Sequence, residues 1–362
     1  MAHYEIRLQQ DLDNIRAQAV ALAGDAEQAI ANALQAAQTG NEKLAYSTIL
    51  GDARINRAHR ALNKQCYRFI ALHLPSAGPL RLIEALVRAN IQFERLGDYA
   101  VTICREAIQM SKPPEGVLAR ELELISSHAL RMLHQANAAF NESNEEMART
   151  TMNMGTDIEQ TLDVVYSDMS AEGERRGMAD LLAMFVIFNM VKRVTDQAKN
   201  ICEEALFAIS GEYKQDTRHH VLFIDEDGSF LAPMAEAVAR KMFPDSAYYS
   251  SASRSPGPGF DPAMVGFMEK HGFDLTSISP GQLDPDSKNI SDYYVVVSLQ
   301  GAVKSYISHL PFHTAALEWD LGSTPVGLEG GEADDSRMEE LYREVVVNVR
   351  DLIETITGKE AA

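Results

Sequence analysis

The sequence predicts a multidomain chain: two all-α three-helix bundles, followed by an α/β domain with a parallel sheet. Three observations carry this prediction. From Tyr4 to about Ile209, apolar residues recur at three- and four-residue spacing, as at Leu8, Leu12, Ile15, Ala19 and Leu22. That helical stretch repeats itself once. Beyond His220 the rhythm changes to short apolar runs alternating with helical patterns. A length of 362 residues is ample for more than one domain.

In the first half, Pro75, Pro79, Pro113 and Pro114 mark breaks between helices. The segment EKLAYSTILGDARINRAHRALNK is similar to EEMARTTMNMGTDIEQTLDVVYSD: Leu44-Ala45 matches Met147-Ala148, and Asp52 matches Asp157. FERLGDYAVTICREAI is similar to VKRVTDQAKNICEEAL: Asp98 matches Asp196, and Cys104 matches Cys202. The expected boundaries are 1–112 for the first bundle, 113–212 for the second, 213–220 for a polar linker and 221–362 for the α/β domain.

Within that last domain, Val221–Ile224 reads as a buried strand and Asp225-Glu226-Asp227 as the loop after it. A helix is expected over Ala235–Met242, and another over Asp261–Gly272 with a glycine stop. Tyr293–Leu299 (YYVVVSL) reads as a continuous buried strand, and Asp335–Gly358 as a long amphipathic closing helix.

The formal net charge is −19. Residues 1–215 hold 28 acidic and 22 basic side chains; residues 216–362 hold 24 and 11, a net of −13. Such a surface repels nucleic acid and anionic lipid, and no block of Lys and Arg argues otherwise. Cys66, Cys104 and Cys202 lack metal-ligand spacing and read as reduced core thiols. No signal peptide opens the chain, and the longest apolar run, around Leu181–Val191, is too short to span a bilayer. The expectation is a soluble, cytoplasmic protein.

The motifs then become specific. DARIN (Asp52–Asn56), the stretch ALHLPSAGPLR ending at Arg81, FERLGD (Phe93–Asp98) and TDQAKNICEE (Thr195–Glu204) resemble, in order, those of the PhoU family, which has two tandem three-helix bundles with E(D)xxxD motifs. The resemblance implies a non-enzymatic regulator of phosphate uptake and phosphate-starvation signalling. It also implies contacts with a phosphate ABC transporter ATPase and a sensor histidine kinase, a homodimer, and in some members metal clusters at the motif.

The residues carry a chemical reading of their own. Glu94 and Asp98 are four apart, so they share a helix face, with Ile83, Val87, Ile91 and Val101 on much the same side. Two carboxylates buried unpaired cost on the order of several kcal/mol each. A hard cation, divalent or iron, would remove that cost. The candidate ligands are Glu94, Asp98, Asp52, Asp157 and Asp196. The alternative is a solvated pair, or one paired with Arg95 or Arg105. In the second repeat Lys192 stands where the family usually has Glu, beside Asp196, so that site is expected to be weak or metal-free. A di-iron oxidase would need Glu-x-x-His on two helices. The first half has none, and His59, His73, His128 and His134 are scattered surface or satisfied histidines.

Two readings compete for the acidic loop. Taken alone, DEDGS after a strand resembles the first motif of haloacid-dehalogenase-type phosphatases, with Asp225 as nucleophile, Asp227 as acid/base and Mg bound by both. Its later pieces, Lys304 and Asp334-Asp335, are poorly placed. Pro233–Ala237 (PMAEA), Ser251-Ala252, Asp261-Pro262 and Gly272–Leu275 instead resemble low-molecular-weight phosphotyrosine phosphatases and arsenate reductases. That family implies a Cys-x5-Arg loop. Here Asp225 falls at the Cys and Leu231 at the Arg, and no cysteine follows Cys202. Near WDL, Thr324-Pro325 stands where the family has Asp-Pro. The expectation is a pseudo-phosphatase that serves partner or dimer contacts, with Ser253–Phe260 (SRSPGPGF) as a flexible loop.

Overall fold

The structure, a computed structural model, describes residues 2–154, 165, 177–211, 218–279, 281–284, 290, 292–308, 310–311, 314–322 and 332–358. It divides into a helical unit, Met1–Gln215, and an α/β unit, Asp216–Ala362. Asp157 and the Thr324-Pro325 pair lie outside the described residues.

The helical unit contains α1 (Ala2–Thr39), α2 (Glu42–His73), α3 (Ala77–Gln109), α4 (Gly116–Glu142), α5 (Glu145–Asn153) and α6 (Met178–Ser210). The internal repeat reappears as geometry. Gly40 (φ 68°) and Ser143 (φ 54°) both turn the chain in the left-handed region. Each is followed by an Asn that caps the next helix. The Asn41 side chain accepts from the Leu44 amide at 3.1 Å, and Asn144 from the Met147 amide at 3.0 Å.

The buried faces of α3 and α6 also match at a constant offset. Ile83 and Leu181, Leu86 and Met184, Phe93 and Val191, Leu96 and Val194, Ile103 and Ile201, and Cys104 and Cys202 are all buried. α3 packs against α6, α2 and α1, while α4 packs against α1 and α6. One apolar core therefore runs through both bundles. The thiols lie within it, where burial pushes Cys66 and Cys104 up to about 11 and Cys202 to about 12. They stay protonated and unreactive.

The α/β unit contains β1 (His219–Asp225), α7 (Leu231–Met242), β2 (Ala247–Ser253), α8 (Pro262–Lys270), β3 (Gly281–Gln282), β4 (Val295–Ser298), α9 (Val303–Tyr306), β5 (Ala315–Glu318) and α10 (Glu332–Thr357). The strands are parallel, in the order β3-β2-β1-β4-β5. Val221 to Ile224 are fully buried in the middle of this sheet, as their apolar run predicts. α10 buries Leu341, Val345, Val349 and Ile353 at helical spacing in the core shared with α7.

Several expected boundaries move, two of them for a visible reason. β1 begins at His219, inside the expected linker, because His219 and His220 stack on Tyr294 and Tyr248 of the neighbouring strand ends. α7 begins at Leu231, not Ala235. Pro233 lies in its first turn, where no helical N–H is needed, so it does not delay the helix.

The two caps give a stability prediction. Asn41→Ala and Asn144→Ala should each cost about 1 kcal/mol, with the double variant close to additive. Urea unfolding followed by circular dichroism measures this, and an unchanged midpoint would contradict the capping role.

Candidate functional site

The first candidate site lies where α2 meets α3. The core-facing stripe of α3 runs through Phe93, Leu96, Gly97 and Ala100. Glu94 is half-buried at its edge, and Asp98 is exposed. Ile91, expected to bury beside them, is 39% exposed. The expected burial of that pair inside an apolar stripe is thus corrected. A period of 3.6 residues carries the core face past Phe93 and Leu96 and leaves the carboxylates at the rim.

The desolvated carboxylate is instead Asp52, on α2. Its Oδ2 accepts from Asn56 Nδ2 at 2.6 Å. Its Oδ1 is buried with no hydrogen-bond partner. Burial raises the Asp52 pKa, and the Asp98 charge adds to this; Asn56 and Arg105 oppose it. Gly97 makes the approach possible, because a Cβ there would lie 2.8 Å from Asp52 Oδ1 and 3.2 Å from Ile55 Cγ2. The fold thus brings together two of the predicted residues, Asp52 and Asp98, across two helices. Sequence spacing alone pairs only Glu94 with Asp98.

The second repeat differs at this notch. Thr195 takes the place of Gly97, is buried, and donates its Oγ1 proton to the Lys192 carbonyl at 2.7 Å. Lys192 and Asp196 each have an interaction of their own. Among the described residues, no group of three or more His, Cys, Asp and Glu side chains is placed to hold a metal ion. The donor set on hand is the Asp52–Asp98 pair, whose unsatisfied Oδ1 suits a hard cation. Three of the histidines have structural partners: His73 with Asp11 at 2.8 Å, His134 with Glu27 at 3.0 Å, and His59 with the Asn90 carbonyl at 3.1 Å.

The second candidate site is the loop between β1 and α7. It lies at the carboxyl end of the sheet, where β2 and β4 flank β1 on opposite sides and connections diverge, the usual ligand crevice of an open α/β sheet. Asp225 is 1% exposed. Its Oδ1 accepts from the Gly228 amide at 2.7 Å and its Oδ2 from the Ala232 amide at 2.8 Å. The carboxylate therefore accepts from one loop amide and from a free amide at the start of α7, the position an external anion would otherwise take. Burial raises its pKa to about 6, outweighing those hydrogen bonds. Asp227 Oδ1 accepts from the Ser229 amide and hydroxyl at 2.9 and 2.8 Å, closing a local turn.

Leu231 is fully buried in the apolar core at the start of α7, so that position faces packing and not the loop. Ser253–Phe260, expected to be a free loop, is laced to the acidic loop instead. The Arg254, Ser255 and Gly257 amides donate to the carbonyls of Asp225, Glu226 and Asp227. Arg254 also pairs with Glu226 at 3.2 Å and lies over the Tyr306 ring.

Comparison with known proteins resolves the helical unit. A family model described as "PhoU domain" matches residues 20–107 and again 122–205. The helical unit is thus similar, over two successive stretches, to PhoU domains in tandem. The phosphate-specific transport system accessory protein PhoU of Serratia marcescens is 27% identical over 219 residues, spanning 60% of this chain and 89% of that protein. Its Escherichia coli K12 counterpart is 28% identical over 220 residues, spanning 60% and 90%. The crystal structure of PhoU from Pseudomonas aeruginosa, 25% identical, covers 56% of this chain and 99% of its own, with a TM-score of 0.54. Over the C-terminal part, an arsenate reductase in its oxidised state aligns at 20% identity and a TM-score of 0.33, covering 38% of this chain and 98% of that one.

The buried loop carboxylate sets a pH dependence. Below about pH 3.8, folded and unfolded chains both hold the Asp225 proton; between there and about pH 6 only the folded chain does. Above about pH 6 the fold bears the full cost of the buried charge, on the order of 3 kcal/mol. Stability of the α/β unit should therefore fall as pH rises from about 4 to about 6, and Asp225→Asn should flatten that slope. Trp319, the single tryptophan, lies in this unit and reports its urea unfolding by fluorescence. A wild-type slope retained in the variant would contradict the assignment.

Proposed function

We propose that this chain is a PhoU-type regulator of phosphate uptake and phosphate-starvation signalling that works by contact and not by catalysis. The observation that carries this reading is the tandem PhoU match, together with relatives named as accessory proteins of phosphate-specific transport. The proposed partners are the ATPase of a phosphate ABC transporter and a sensor histidine kinase, and the proposed assembly is a homodimer in the cytoplasm. Among the described residues, no helix is long and apolar enough to cross a membrane.

The α/β unit is, in this reading, an inactive phosphatase-like domain. Asp225 at the nucleophile position and Leu231 at the oxyanion-binding position supply neither a thiolate nor a guanidinium. The rival reading makes Asp225 the nucleophile of a Mg-dependent phosphohydrolase. Its burial, and the commitment of both oxygens to the Gly228 and Ala232 amides, weigh against an attack on a phosphoester.

Asp52 and Asp98, with Glu94 near them on α3, are proposed to hold one hard cation in the first repeat. Such an ion would satisfy Asp52 Oδ1 and screen the two like charges. The second repeat is proposed to bind none, since Lys192 and Thr195 replace Glu94 and Gly97 there. Metal analysis of purified protein should find metal that is lost in the Asp52→Asn/Asp98→Asn variant; metal retained in the variant would place the ion elsewhere.

The function is tested in the organism. Deletion of the gene should raise uptake of labelled phosphate from phosphate-rich medium, and both the wild-type chain and the Asp225→Ala variant should restore control. Unchanged uptake would overturn the regulatory reading. Loss of restoration with a well-folded Asp225→Ala variant would overturn the non-catalytic part alone.

A further inference from the structure

α2 concentrates positive charge in an otherwise acidic chain. From Ala53 to His73 the helix contains no Asp or Glu. Arg57, Arg60, Lys64 and Arg68 recur at three- and four-residue spacing, and all four are exposed. They form one stripe about 16 Å long, pointing away from the core-facing Ile55, Leu62 and Cys66. None of the four makes a hydrogen bond or ion pair among the described residues, whereas Arg54, just before them, is paired with Asp25 at 2.6 Å. A helix in a chain of net charge −19 would ordinarily find acids for such a row.

The stripe borders a groove of about 550 Å³ between α1 and α2. Arg68 belongs to both, and Arg7 of α1, also without an ion pair, adds a second guanidinium to the groove lining. Apolar contact surface is supplied mainly by Leu72, which is 55% exposed, above Phe69, which is buried beneath it at 2%. Asp11 is the acid in the groove, and it is held by His73.

We propose that this groove and stripe dock an acidic amphipathic helix of a partner protein. Its apolar side would lie mainly on Leu72, above Phe69, and its carboxylates would meet Arg7, Lys64 and Arg68. A groove with an apolar floor and cationic walls matches helix-in-groove recognition, and the unpaired row supplies charge complementarity and partner selection. An anionic membrane fits less well. It carries the same sign of charge as the chain's net −19, which repels it. This surface does not depend on the phosphate-uptake reading, since the contact is argued from α1 and α2 alone.

The test uses the full chain and a fluorescein-labelled peptide of about twenty residues, with leucines at heptad spacing and glutamates elsewhere. Fluorescence anisotropy should show saturable binding. The affinity should weaken at least about tenfold in Arg60→Glu/Lys64→Glu/Arg68→Glu protein, and by a similar factor between about 50 and about 300 mM NaCl. Leu72→Ser should weaken it separately, and polyglutamate should bind more weakly than the amphipathic peptide. Because the substituted side chains are exposed, an unchanged helical spectrum confirms the fold. Absent binding, equal binding by the charge-reversed protein, or polyglutamate binding as tightly as the peptide would overturn the proposal. So would co-sedimentation of the wild type, but not the variant, with vesicles containing phosphatidylglycerol, which would assign the stripe to a membrane.

Discussion

The helical unit depends on one repeated constraint: α3 and α6 present the same buried face to a common core. Position by position, what is buried on α3 is buried on α6, and the two helices pack against each other. That seam makes one body of two short bundles that would each bury less apolar surface alone. It also fixes what can vary. Some positions on this face keep the same side chain, as Ile103 and Ile201 or Cys104 and Cys202 do, while Phe93 against Val191 must be offset by packing around it. Glu94, at the edge of the face, is less bound by packing, and Lys192 stands there in the second repeat; on the face itself the buried Gly97 is matched by the buried Thr195.

Two partly or wholly buried carboxylates show how differently the fold treats a charge. Asp225 finds its partners in one loop amide and one amide at the start of α7, so the loop is self-satisfied and closed. Asp52 keeps one oxygen without a partner in a notch that only a glycine leaves open. A buried, unpaired acceptor is costly. It lies beside Asp98, whose charge adds to the cost of the buried carboxylate at the α2–α3 contact. In the loop of the α/β unit, by contrast, both oxygens of Asp225 accept hydrogen bonds.

Much of this was legible in the sequence. The helical repeat, the buried strand before Asp225 and the closing helix follow from periodicity and order of residues, and the motifs that resemble those of the PhoU family are read from the residues themselves. The site was legible only in part. Glu94 and Asp98 share a helix, so their spacing is visible; the approach of Asp52 depends on packing between helices and is signalled only by the glycine in FERLGD. The α2 stripe escaped a search for runs of Lys and Arg, because its charges are contiguous on a helix surface and not along the chain. The start of α7 was missed because Pro233 reads as a breaker, although the first helical turn tolerates proline. The hydrogen bonds of the acidic loop were not legible, because a sequence does not show which amides a carboxylate will face.

The central claim is control of phosphate uptake by contact. Its most direct measurement is the ATPase rate of the organism's phosphate ABC transporter in proteoliposomes, with and without the full-length chain, at saturating phosphate. The account predicts that the chain slows ATP turnover in a saturable way, that Asp225→Ala protein does so equally, and that no phosphoester is hydrolysed by the chain itself. An ATPase rate indifferent to the chain, or an effect that disappears with Asp225 and comes with phosphoester turnover, would contradict it.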